Sequence, residues 1–410
     1  MVGITGRFKR LCAFVIGVVF FVSGILKLID PVGVSLIVGE YFSFFHIGFM
    51  SVTSKFVAVV LSLVESFTGL ALMTGVFRLL TFWVTGILLS IFALITLLLW
   101  IFNPSMDCGC FGQAVHLTHF QSFAKNVVLI LLYCAAFFPY GRVGEPKPRK
   151  FLSFSIVGVS VGVLCIYSLM YIPLLDLTPF SLSSRLAAAD SAAPDSTDMY
   201  VSSFVYEKNG KKGVFTLNNI PDSTWTFVEA LTVPKDDNIK ESDYPSLSFT
   251  DARGRYCDEI AAKGLVMALS VYAPGKLDAD DWEDMADFIS IASKAGFTPL
   301  LLVAASPEDF AVRIEDSAAI EQKEKMALMT SVYYSDYRTL VSMNRSNGGA
   351  VYFNNGNLIS KWAARALPGE KKLSKIVRTN SIEFMLEADN HRKLVFQAFL
   401  LYSLGIVLLI

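Results

Sequence analysis

The chain has 410 residues, 53% of them hydrophobic and 17% charged, and its mean hydropathy of +0.51 is too high for an ordinary soluble protein of this length, so several bilayer spans are implied. The formal net charge of −1 hides a partition: residues 176–392 hold 31 Asp and Glu against 23 Lys and Arg, whereas the rest of the chain holds 5 against 12. An acidic soluble part is grafted onto a basic membrane part, and the lack of a clustered Lys/Arg stripe excludes nucleic acid and leaves the lipid bilayer as the first partner.

Apolar stretches long enough to cross a bilayer as helices fall at about 11–29, 56–75, 79–102, 123–140, 151–173 and 394–410. Arg7, Lys9 and Arg10 precede the first, Arg78 separates the second and third, and Arg142, Lys147, Arg149 and Lys150 separate the fourth and fifth. The positive-inside rule then predicts a cytoplasmic N-terminus, with the loop around Cys108 and residues 174–392 facing outward. Lys125 and the pair Arg392 and Lys393 run against that rule. The first run reads as a retained span, not a cleaved signal, because it is long, no small-x-small pattern follows it, and Lys27 lies near its end. Residues 31–52, aromatic-rich and broken by Pro31 and glycines, read as an interfacial outer segment.

Pro146 and Pro148 mark a cytoplasmic linker, and Leu182 to Asp198, rich in Ser, Ala and Asp, an outer one. Val201 to Leu217 alternates around Asn209 and Gly210, a hairpin signal. An apolar run at 264–272, an amphipathic pattern from Asp278 to Lys294 and a second run at 298–304 follow. A helix then opens at Ser306 and Pro307, and a hairpin of 349–353 and 357–362 turns at Asn355 and Gly356. Five segments result: a four-helix membrane domain at 1–140; a linker and fifth span at 141–175; a linker and hairpin region at 176–244; an α/β domain at 245–390; and a last span at 391–410.

The chemistry concentrates in Asn103 to Gly112, where Cys108 and Cys110 stand one residue apart between two apolar runs. Closing such a pair needs a tight turn, which Gly109 supplies. A disulfide over a single intervening residue is strained, and strained, exposed disulfides are the labile, oxidising ones. Redox exchange by Cys108 and Cys110 is the leading reading and a structural clip the bland one. Asp107 disfavours a thiolate there, while His116, His119 and Lys125 favour it if they turn toward the pair. Cys108, Cys110, His116 and His119 also make a ligand set suited to zinc or copper, although the Cys-x-Cys spacing is tighter than structural zinc sites use. Lys27 and Glu65 are ionisable groups at membrane depth and need partners. Either they form a relay beside a quinone or thiol site, or they are a structural pair near the outer interface with Lys27 snorkelling; the latter is slightly favoured. Cys12, Cys134 and Cys165 read as packing residues, and Cys257 as a buried or incidental thiol.

Residues 8–140 resemble the DoxX and MauE superfamily of four-helix membrane proteins. The resemblance rests on Ser23 to Leu28 with Asp30 and Pro31, on Glu65 with Gly69 and Gly75, on Asp107 to Gly112, and on Asn126 opening the fourth span. The cysteine loop points to the MauE branch, which implies maturation of proteins whose periplasmic disulfides must be formed; DoxX-type systems imply a quinone as cofactor. The order over roughly 245–370 resembles the thioredoxin fold, but Ala273 to Asp278 stands where that family carries Cys-x-x-Cys, and Asn347, Gly348 and Gly349 replace its cis-proline. The expectation is a multi-pass α-helical bundle in a bacterial inner membrane, with residues 174–392 periplasmic and, within them, a catalytically degenerate α/β thioredoxin-like domain over 245–390. Its job is exchange with a periplasmic thiol or disulfide protein; the alternatives are a non-catalytic scaffold and a quinone-linked oxidoreductase subunit.

Overall fold

The computed structural model describes residues 2–104, 106–115, 117–138, 148–189, 200–208, 211–216, 226–234, 244–315 and 320–409. The membrane part begins with α1 (Val2–Ile29), α2 (Pro31–Phe44), α3 (Ser54–Thr74) and α4 (Arg78–Phe102), continues through strand β1 (Cys110–Gln113), and ends with α5 (His119–Phe137) and α6 (Pro148–Met170). Among the described residues six helices are long and apolar enough to cross a membrane: α1, α3 with the turn before it, α4, α5, α6 and the last helix of the chain. The segment after α1 contains a helix, because Asp30 caps it through Gly33 N at 2.8 Å and Pro31 occupies its first position. At 14 residues α2 is too short to span.

Glycines set the closest packing. A Cβ on Gly24 would lie 2.6 Å from Ser66 N, and one on Gly69 would lie 2.3 Å from Phe21 N, so the backbones of α1 and α3 touch. The fourth span begins at His119 instead of near 123, since Thr118 and Gln121 form a reciprocal cap there. Asn126 therefore lies two turns inside α5 and does not open it.

The second part contains strands β2 (Tyr200–Lys208), β3 (Lys211–Thr216), β4 (Thr226–Pro234) and β5 (Leu265–Val271), helix α7 (Ala279–Lys294), strand β6 (Thr298–Val303) and helices α8 (Pro307–Glu315) and α9 (Gln322–Ser331). Strand β7 (Val332–Tyr334), helix α10 (Tyr337–Met343), strands β8 (Gly349–Asn354) and β9 (Asn357–Trp362), and helices α11 (Glu370–Arg378) and α12 (Ser381–Leu409) complete it. Strands β3, β2 and β4 form a small antiparallel sheet. Lys208 pairs with Lys211 across the expected hairpin; its turn, Asn209 and Gly210, lies outside the described residues.

The larger sheet is mixed, in the order β7-β6-β5-β8-β9, with β5, β6 and β7 parallel and β8 and β9 antiparallel. Central β5 is buried on both faces, which explains its unbroken apolar run. Met267, Leu269 and Val271 pack on Trp282, Met285 and Ile289 of α7. Val266 and Ala268 face the other way, toward Leu340 and Met343 of α10. Two expectations are corrected here. Residues 182–189 are not a free linker: Leu186 is buried with Phe180 in the second core, and Ser183, Ser184 and Leu186 exchange backbone hydrogen bonds with Leu358 and Gly356. The unpaired edge of β9 captures them; residues 190–198 lie outside the described residues. The last helix starts at Ser381 rather than 391, and Arg392 is not a stray interfacial charge, because its guanidinium donates to Lys361 O at 3.1 Å.

Candidate functional site

Cys108, Gly109 and Cys110 lie against α1 and α2. Gly109 takes φ +60°, and a Cβ there would come within 2.7 Å of Ile37, so only glycine fits this turn. Tyr41, whose phenol burial pushes well above its ordinary range, donates its hydroxyl to Cys108 O. Ser23 Oγ lies 2.7 Å from Cys110 O. Both cysteines are free thiols, Cys108 buried and Cys110 half-buried.

His119, in the first turn of α5, turns toward the pair: its Nδ1 is 2.9 Å from Cys108 Sγ and its Nε2 is 3.0 Å from Pro104 O. A carbonyl only accepts, so Nε2 carries a proton, and in the neutral ring Nδ1 is the acceptor for the Cys108 S–H. Proton transfer would leave a thiolate beside an imidazolium with both ring bonds intact. Burial is the largest influence on the Cys108 thiol and pushes it up, with Cys110 and Asp107 adding to the rise and Ser122, then Lys125, opposing it. The site therefore holds a protonated thiol next to a base at hydrogen-bond distance. His116 lies outside the described residues; among those described, no three His, Cys, Asp or Glu side chains converge as metal ligands.

Lys27 and Glu65 meet at 2.6 Å, both almost fully buried. Lys27 therefore does not snorkel: it lies 4% exposed, 5.4 Å above the Phe92 ring. The depth mismatch inferred from hydropathy vanishes because α1 packs on α3 with Gly24 against the backbone of Ser62 and Ser66, which places Glu65 beside Ser23 and within reach of Lys27 one turn on. Ser23, one turn before Lys27 on the same face of α1, lies 3.0 Å from Glu65 Oε2 as well as against Cys110 O. The buried ion pair thus sits directly beneath the cysteine loop. A cavity of about 280 Å³ opens beside them, lined by both cysteines, Lys27, Glu65, Lys125, Asn126 and apolar side chains of α1 to α5.

Arg345 of the second domain reaches this site. Arg345 is 6% exposed; its Nε and Nη2 lie 3.0 and 2.9 Å from Asp30 Oδ2, and its Nη2 also donates to Gln113 Oε1 on β1. Tyr272 Oη donates to Arg345 O at 3.0 Å, and Asn347 exchanges two hydrogen bonds with the backbone of Ala273. The loops at Ala273 and Asn347 are thus tied together and hold the arginine that docks on the cysteine loop. Sequence reasoning missed Tyr41, Asp30 and Arg345 as site residues. Asp30 ahead of Pro31 carried a capping signal; Arg345, 315 residues away from it, carried none. The other cysteines stay apart from the site: Cys12 and Cys165 are buried among helices, Cys134 is exposed on α5, and Cys257 donates to Arg255 O at 3.3 Å.

Residues 5–139 match the family model of the methylamine utilisation protein MauE. That segment is MauE-like. It contains the ion pair, the cysteine loop and His119, whereas Arg345 lies beyond it. Residues 200–235 match a domain family of unknown function (DUF8463). No curated protein and no solved structure matches the chain.

Proposed function

We propose that this MauE-like membrane protein performs thiol–disulfide exchange through Cys108 and Cys110 on the outer, periplasmic side of a bacterial inner membrane, in the maturation of a disulfide-containing partner protein. The observation that carries this reading is the Cys108–His119 pair at 2.9 Å: a structural clip needs no base, whereas exchange needs a thiolate. Half-buried Cys110 is the thiol a protein partner reaches and forms the mixed disulfide. Cys108, its proton taken by His119, then attacks Cys110 Sγ; the Cys108–Cys110 bond forms, the bond to the partner breaks, and the partner leaves as a thiolate. The reverse sequence oxidises a partner dithiol. Sheet order and loop placement support a thioredoxin-like reading of residues 245–390, with the domain's own thiol site replaced by the Arg345 dock.

Trapping tests this directly. Cys108→Ser in the full-length protein is expected to accumulate a reductant-sensitive adduct through Cys110, Cys110→Ser much less, and the double variant none. If neither single variant traps an adduct and the double variant matures its partners normally, the scaffold reading replaces this one. Orientation is tested separately: an alkaline phosphatase fusion after Ser184 is expected to be active, and a stable but inactive fusion would place the thiols in a reducing compartment.

A further inference from the structure

We infer that the Ser122 hydroxyl is a second donor to the Cys108 sulfur, held free while Cys108 is a thiol and used when it becomes the thiolate that displaces the partner from Cys110. The role rests on the exchange reading and adds to it a residue that acts on the attacking sulfur together with His119. A buried serine in a membrane helix ordinarily gives its hydroxyl proton to the carbonyl one turn back, because the hydrocarbon around it accepts nothing. Ser62, Ser66, Ser90 and Ser160 do so, each donating to the residue four before it at 2.7 to 3.0 Å. Ser122 does not. It is fully buried, and its Oγ makes no hydrogen bond with any described residue. Thr118 O, which accepts the Ser122 N–H at 3.0 Å, has a second lone pair that goes unused by this hydroxyl. A proton withheld from both backbone and water is costly unless some state of the protein uses it.

The surroundings identify that state. Ser122 stands one turn after His119 on the same face of α5, and His119 Nδ1 is 2.9 Å from Cys108 Sγ. No bond of good geometry joins Ser122 Oγ to the sulfur while Cys108 keeps its proton, yet the hydroxyl is near enough to pull the thiol down against the rise from burial. A neutral thiol is a weak acceptor, whereas a thiolate is a strong one. The other polar groups around Cys108 are engaged elsewhere. Tyr41 of α2 donates to Cys108 O and not to the sulfur, and Lys27 and Glu65 are paired with each other. Asp107 and Cys110 disfavour the thiolate, while Lys125 favours it through its charge, with its ammonium 5.0 Å above the Phe111 ring.

In the exchange step the partner is held on Cys110 as a mixed disulfide. Cys108 gives its proton to His119 Nδ1, and the freed electron pair on its sulfur forms the bond to Cys110 Sγ. The S–S bond to the partner breaks, and the partner sulfur leaves with that bond's electron pair and is then protonated by the imidazolium. Between proton transfer and attack, the buried Cys108 sulfur carries a full negative charge. The imidazolium N–H donates to it from the first turn of α5 and the Ser122 O–H from the next, where the positive end of the helix dipole also acts. Both donors are placed by the helix before the charge develops, so stabilising it needs little reorganisation.

The test uses full-length protein in lipid nanodiscs and compares Ser122→Ala with Ser168→Ala, which removes another buried, unpartnered hydroxyl, on α6. In a Cys110→Ser background, Ser122→Ala is expected to lower the Cys108 thiolate population about tenfold on the alkaline side. Alkylation then slows only about threefold, because a more basic thiolate is intrinsically more nucleophilic. With both cysteines present, Ser122→Ala is expected to accumulate the reductant-sensitive adduct through Cys110 that wild type clears. Its thermal midpoint is expected to hold or rise, since the lost hydroxyl bonds nothing in the thiol state. Ser168→Ala is expected to leave alkylation and adduct at wild-type levels. The inference is overturned by wild-type alkylation in Ser122→Ala, by equal slowing in Ser168→Ala, or by a lowered midpoint with faster alkylation, which would mark Ser122 as a packing residue. Adduct trapping by Cys108→Ser reports separately on exchange: trapping with unchanged Ser122→Ala alkylation defeats this inference alone, and slowed alkylation without any trapped adduct defeats the exchange reading and keeps the Ser122 donor.

Discussion

His119 turns a buried thiol into a usable one, and its effect is visible in pH. Burial holds the Cys108 thiol above its ordinary range, where an unperturbed cysteine titrates near about 8.5, so the neutral form dominates at pH 7 and reactivity shifts to the alkaline side. In a Cys110→Ser background, alkylation of Cys108, read by peptide mass spectrometry, is expected to climb about tenfold per pH unit from 7 toward 9 without levelling off. Replacing His119 by Ala removes the proton acceptor and is expected to slow disulfide exchange about a hundredfold at pH 7, the lower end of general-base effects of about 10²–10⁴. An early plateau, or an exchange rate unchanged in His119→Ala, would remove the histidine from the chemistry. The Lys27–Glu65 pair obeys a different rule: removing one member leaves an uncompensated buried charge. Glu65→Ala is expected to cost about 3–5 kcal/mol in thermal unfolding in detergent, and Lys27→Met with Glu65→Leu less than Glu65→Ala alone. Additive losses would show that the two charges do not stabilise one another.

At the scale of elements, packing of α1 on α3 decides whether these groups meet at all. Gly24 and Gly69 leave no room for a methyl group, whereas a Cβ on Gly162 in α6 would meet nothing within 4 Å. Gly69→Ala is expected to part the helices and lower the midpoint of thermal unfolding, while Gly162→Ala is neutral or slightly stabilising because it removes backbone freedom from the unfolded chain. Equal responses would mean that the α1–α3 contact is looser than described. The spans were legible because length and hydropathy suffice to define them, and β5, α7, β6, β8 and β9 because apolar runs and the Asn355–Gly356 turn punctuate them. What stayed hidden depended on the partner of an element. Hydropathy alone puts Glu65 too deep for Lys27, because the register of α1 on α3 is set by glycine contacts between the two helices that neither helix reveals by itself. Residues 182–189 looked like linker because a strand edge capturing them leaves no periodicity in their sequence. Strand β7 is only three residues long, too short to show a pattern.

At the scale of the molecule, Arg345 joins the second domain to a site that the membrane helices have already built. Asp30 serves two masters: Oδ1 caps α2 through Gly33 N, while Oδ2 binds Arg345. Asp30→Asn keeps the cap and removes the charge, whereas Asp30→Ala removes both, so the difference between them isolates the cap, about 1 kcal/mol. Arg345→Met removes the dock and leaves the Asp30 carboxylate buried without its cation, so it is more disruptive than Asp30→Asn. If the domain's task is to hold the cysteine loop, Arg345→Met is expected to raise backbone hydrogen exchange in residues 108–113 and to speed alkylation of Cys108, while the distant core of β5 and α7 keeps its protection. The Lys361–Asp176 pair at 2.6 Å supplies the control, because it ties the domain to the chain leaving α6 and not to the cysteine loop. Asp176→Asn is expected to loosen that connection without changing Cys108 alkylation. If Arg345→Met and Asp176→Asn alter the loop alike, the domain acts on it only through overall stability, and the dock has no special part in presenting the thiols.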